Sequence, residues 1–139
     1  METKKPDSWV LAGCLLAVAW TTAACSGHAR AEATSQTAKG AQTITGQVVC
    51  LVCYARNQAN TGADHDSGRM CAQACVKWEG NPAGIVAGDG KVYQLAGAVV
   101  ANNNAKVLPY IARKATVAGD VYEKDGMTMI RADDIRAAP

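Results

Sequence analysis

Four cysteines and a histidine fall within the 26 residues from Cys50 to Cys75, as Cys50-Leu51-Val52-Cys53, Asp64-His65-Asp66 and Cys71-Ala72-Gln73-Ala74-Cys75. The two other cysteines, Cys14 and Cys25, stand in the N-terminal leader. Thiols and an imidazole at this density are compatible with three chemistries. Two disulfides could join the Cys50/Cys53 pair to the Cys71/Cys75 pair, as they do in two of the three pairings that four cysteines allow. Four thiolates, or three with His65, also suit tetrahedral zinc or soft Cu(I), with Asp64 and Asp66 placed to orient the imidazole. Third, Cys50-x-x-Cys53 is a dithiol able to exchange with Cys71 and Cys75 or with a partner. Haem attachment is excluded, because Tyr54 rather than His follows the Cys-x-x-Cys.

Local geometry narrows these readings without choosing among them. Met70 to Trp78 contains no helix breaker and sets Cys71, Ala74, Cys75 and Trp78 along one helical face. Helical neighbours four apart hold their Cβ atoms about 5–6 Å apart, whereas a disulfide wants about 3.8 Å. Cys71 and Cys75 are therefore expected to face a third group rather than each other. Cys71, near the start of its helix, is the better-placed nucleophile. Cys50 and Cys53 sit at a strand end expected to lead into a loop, and they converge only if the chain turns there.

The elements that must position these groups are read from periodicity. Ile44, Gly46, Val48, Cys50 and Val52 alternate with Thr45, Gln47, Val49 and Leu51 in the manner of a half-buried strand. Tyr54 to Arg69 is polar and rich in Gly, Asn and Asp, which predicts a loop. Gly84–Ala87 and Lys91–Leu95 flank Gly88-Asp89-Gly90, and Ala115–Tyr122 and Met127–Ala132 flank Lys124-Asp125-Gly126, two hairpins. Asn102-Asn103-Asn104 is expected to start a short helical turn through Lys106–Ile111, limited by Pro109. Five short strands with a helix between the third and fourth predict a mainly β, five-stranded OB-like barrel over residues 43–136, its Cys-bearing loop and short helix inserted after the first strand.

Ahead of that domain, Lys4 and Lys5 precede a run from Trp9 to Ala24 that is apolar or small, too short for a comfortable membrane span. Residues 1–24 read as a secretory signal peptide. Thr22-Ala23-Ala24-Cys25 resembles a bacterial lipobox, with Cys25 lipidated, while Ala29-Arg30-Ala31 offers ordinary signal peptidase a soluble product starting at Glu32. The lipobox reading is preferred, which places the protein in the bacterial cell envelope as a lipoprotein facing the periplasm. Residues 25–42, rich in Ala, Thr, Ser and Gln, read as a flexible tether. Export exposes neighbouring thiols to an oxidising compartment. The leader holds two lysines and two acids, so its removal leaves the net charge at +2. That balance, with few aromatics, gives no nucleic-acid footprint; the expected partners are the membrane, through Cys25, and an envelope protein.

Gly46-Gln47-Val48-Val49, Cys53-Tyr54, His65, Cys71-Ala72, Cys75, Gly80-Asn81-Pro82, Asp89-Gly90-Lys91-Val92-Tyr93 and Val117-Ala118-Gly119-Asp120-Val121 resemble a group of small, uncharacterised exported or lipid-anchored bacterial proteins. Their pattern runs G-x-V, C, H-x-x-C-A-x-x-C, D-G-x-x-Y. Here His65 precedes Cys71 by six residues instead of three. The resemblance implies an exported OB-like fold with the cluster, and it supplies no reaction. Elsewhere, Trp78 is expected to close over the cysteine face as core, and Met127 and Met129 to pack inward from a strand. Tyr93 and Tyr122 are strand residues, and Asp133-Asp134 a charged strand end.

Overall fold

A computed structural model describes residues 37–62 and 68–139 of the chain. The expected signal peptide, Cys25 and the triplet Asp64-His65-Asp66 lie outside the described residues. Five strands, β1 (Thr37–Cys50), β2 (Ala83–Ala87), β3 (Val92–Ala96), β4 (Lys114–Lys124) and β5 (Met127–Ala137), close into a barrel in the order β1-β2-β3-β5-β4. All neighbours are antiparallel except β3 and β5, whose parallel pairing runs from Gln94 opposite Met129 to Ala96 opposite Arg131. This is the OB-like architecture that the strand order predicts. Closure leaves no unpaired sheet edge along the seam where β4 returns to β1.

β1 serves two neighbours. Its first part pairs with β4, from Thr37 opposite Glu123 to Gln47 opposite Lys114, and its last part pairs with β2, from Gly46 opposite Ala87 to Cys50 opposite Ala83. Gly46 is where the two ladders overlap, and a Cβ there would collide with the Val86 carbonyl oxygen. The same close approach recurs at Gly119, where a Cβ would strike the Arg131 carbonyl beside the β4–β5 register shift. Glycine lets the strands coil tightly enough to shut a small barrel.

Three expectations about the elements change. β1 begins at Thr37, so Thr37–Gln42 belong to the barrel and not to the tether; the remainder of the expected tether lies outside the described residues. Ala41, Gln42 and Thr43 are exposed, so this part of the strand forms by ladder pairing with β4 rather than by burial. β1, β4 and β5, at 14, 11 and 11 residues, are also longer than the expected short strands. Between β3 and β4, Asn102, Asn103 and Asn104 all take positive φ (53°, 54° and 60°), a left-handed run in place of the expected right-handed turn. Asparagine tolerates that region better than most residues do. Short 3₁₀ turns at Ala98–Val100 and Leu108–Tyr110 carry the rest of the connection.

The interior is filled by Ile44, Val48, Ile85, Leu95, Val117, Val121, Ile130 and Ile135 from the strands. Val99, Val107 and Ile111 join them from the β3–β4 connection. The insertion after β1 contributes two helices, α1 (Leu51–Arg56) and α2 (Gly68–Lys77). α2 buries Gly68, Ala72 and Val76, a stripe at four-residue spacing that joins the core. Its outer turns are held to the β3–β4 connection by Gln73 Nε2 donating to the Leu108 carbonyl (2.8 Å) and Arg69 Nη2 donating to the Pro109 carbonyl (3.1 Å). No helix among the described residues is long and apolar enough to cross a membrane.

Candidate thiol site

Cys50 ends β1 and is the N-cap of α1, so the chain turns directly from strand to helix at this residue. The Leu51 amide donates to the Pro82 carbonyl (2.9 Å), tying that corner to the residue before β2. Gly84 makes room for it: a Cβ there would overlap the Leu51 side chain. The loop expected after Cys53 is therefore corrected to a helical turn and a half, and Tyr54–Arg56 are helical. Leu51-Val52-Cys53-Tyr54-Ala55-Arg56 contains no breaker, which was the available signal; a stretch so short is helical only because the barrel holds its start.

This geometry settles how the cysteines meet. Cys50 is buried in the barrel core with 1% exposure, and Cys53 and Cys75 are half-buried against it. The Cys53 thiol, one helical turn after Cys50, lies close enough to both Cys50 and Cys75 for each to act on it. Cys71, one turn before Cys75, is exposed, though close enough for its charge to act on Cys75. The expected gathering of four sulfurs is thus a contact among three, with the fourth at its solvent margin. Cys71 faces water because α2 turns its Ala72 and Val76 side inward.

Electrostatics follow from that packing. Burial, then the hydrogen bond and negative charge of Cys50, and then Cys75, push the Cys53 thiol up to about 12. Cys75 is also pushed up, chiefly by burial and further by the charges of Glu79, Cys71 and Cys50, against the lowering effect of the bond from Cys53. In the reduced protein Cys53 and Cys75 are therefore held in the thiol form, the opposite of a poised nucleophile.

All four cysteines are free thiols in the described structure, close together yet outside disulfide distance. Among the described residues, no three His, Cys, Asp or Glu side chains form a group able to hold a metal ion. Two other residues depart from expectation. Trp78 is 75% exposed and does not close over the cysteines, because it follows the last turn of α2 on the side away from the barrel. Met127, 43% exposed, lies in a groove and not in the core, whereas Met129 is half-buried.

That groove is the clearest recess near the cluster, about 450 Å³ between α1 and the strands β3 and β5. Leu51, Tyr54 and Gln58 line one wall, and Gln94, Met127 and Thr128 the other. Nothing in the hydrophobic pattern announces it, since it depends on α1 being a helix. No protein-family model, curated protein or solved structure matches this chain.

Proposed function

We propose that the protein is an exported, lipid-anchored binding or accessory module of the bacterial envelope, held to the membrane through Cys25. In this reading a Cys53–Cys75 disulfide staples the two inserted helices together beside the barrel. The observation that carries it is the proximity of these two thiols, one on α1 and one on α2, both half-buried against the barrel core. The link would form during folding, before burial withdraws the thiols. Each cysteine gives up its proton, the pair gives up two electrons, and the disulfide of an envelope thiol oxidase is reduced to two thiols in exchange. The staple fixes α1, and with it one wall of the Leu51–Met127 groove, where a ligand or partner would bind.

A second reading, thiol–disulfide exchange, is favoured by the finding that Cys50-Leu51-Val52-Cys53 opens a helix. Two facts weigh against it: Cys50 is buried, and Cys53 is held protonated to about 12. A zinc or Cu(I) site on the thiols and His65 is the third reading, and nothing in the described residues favours it.

Intact mass of the envelope-purified protein, alkylated before and after unfolding, tests all three. A loss of two hydrogens with two alkylatable thiols supports the staple. Zinc or copper mass with four alkylatable thiols after unfolding overturns it in favour of a metal, and a redox-buffer-dependent mixture overturns it in favour of exchange. The same spectrum reads diacylglycerol at Cys25, and a chain starting at Glu32 overturns the anchor.

A further inference from the structure

Two of the three exposed large apolar side chains among the described residues, Met70 (68%) and Trp78 (75%), belong to one stripe. Met70, Ala74, Lys77 and Trp78 follow at four-, seven- and eight-residue spacing, on the face of α2 opposite the buried Ala72 and Val76. With Gln73 and Leu108 they border a depression of about 340 Å³. The Lys77 ammonium lies 4.4 Å from the Trp78 ring centroid, so the indole carries a cation on its face. α2 itself bears Arg69 and Lys77 and no acid, and Glu79 follows just beyond its end.

We propose that this stripe is a membrane-surface contact, seating the barrel on an anionic bilayer interface with Trp78 at headgroup depth and Met70 just beneath. Tryptophan prefers that depth because its ring is apolar and its N–H is polar, and lysine reaches lipid phosphates from the same level. The stripe is narrow and its helix short, so it grips weakly by itself. Here the inference rests on the proposed anchor: eleven residues lie between Cys25 and Thr37, a reach of at most about 40 Å. Confinement to that distance makes a weak surface contact effective.

Trp9 and Trp20 precede Cys25, so Trp78 is the only indole from Cys25 onward. The test uses the mature chain with Cys25→Ser, mixed with vesicles of phosphatidylglycerol and phosphatidylethanolamine or of phosphatidylcholine alone. Expected are a blue shift of emission and quenching by brominated acyl chains on the anionic vesicles, both diminished by salt. In sedimentation, Trp78→Ala and Met70→Ser each lower the vesicle partition coefficient roughly ten-fold, with an unchanged far-UV spectrum and melting midpoint. An unshifted emission on both vesicles overturns the proposal, as does partition indifferent to both substitutions. A shift caused only by self-association, or only by a purified envelope protein, also overturns it. Because this chain carries no lipid, a negative result here leaves the anchor to be decided separately by the mass of the native protein.

Discussion

The Cys53 thiol on α1 lies beside the Cys75 thiol on α2, near enough that each shifts the other's proton affinity, although 22 positions separate them in sequence. The two residues are the only direct tie between the helices that the thiols provide, because Cys50 stays in the barrel and Cys71 faces water. If they are oxidised in the native protein, closing that loop stabilises the fold by roughly 3 kcal/mol. Urea unfolding with and without reductant should show that difference. Cys53→Ala and Cys75→Ala should each abolish it, while Cys71→Ala should leave it in place.

Reduced protein should lose stability at alkaline pH. The Cys53 thiol is raised from 9.0 to about 12 on folding, so an unfolded chain releases this proton first. Its stabilising contribution is complete below pH 9 and disappears as pH climbs from 9 towards 12. Urea midpoints measured in reductant at pH 8, 9, 10 and 11 should fall more steeply for the native sequence than for Cys53→Ala. Equal slopes would mean the thiol is not buried as described.

Alkylation of reduced, folded protein should proceed in a fixed order. Exposed Cys71 reacts first; Cys75 and Cys53 follow slowly, because both are held in the thiol form; Cys50 reacts only on unfolding. Peptide mapping of iodoacetamide adducts over time reads this directly. Early labelling of Cys50 would contradict its place in the core.

Gly46→Ala should cost about 2 kcal/mol or more, since the added methyl meets backbone and not a side chain that can swing away. Gly88→Ala is the control, having open space around the added carbon. Thermal midpoints of the two variants should separate clearly, and the Gly46 variant should show its largest loss of amide protection along β1 and β2.

The barrel was legible in the sequence because its inner face alternates. Ile44, Gly46, Val48 and Cys50 are all buried, as their period of two demands, and both Asp/Gly turns join the strands they flank. What periodicity does not encode is contact made for other reasons. Thr37–Gln42 are small or polar and become strand through β4, so composition made them resemble a linker. α1 is too short to show a repeat, and missing it hid both the Cys53–Cys75 contact and the groove above it. Trp78 shares a helical face with Cys71 and Cys75 in the linear pattern, whereas the stripe that settles the orientation of α2 is Gly68, Ala72 and Val76. The three asparagines carry a cap's chemistry and a left-handed backbone, and their side chains do not distinguish the two.

The two-neighbour role of β1 also has a mechanical side. In the proposed lipid-anchored form, a pull transmitted to Thr37 would enter the domain through the strand that both closes the cylinder and ends at Cys50. Tension then spreads over successive rungs between β1 and β4 before it can reach the helices. The hinge of any force-induced opening would fall at Gly46, where the strand passes from one partner to the other.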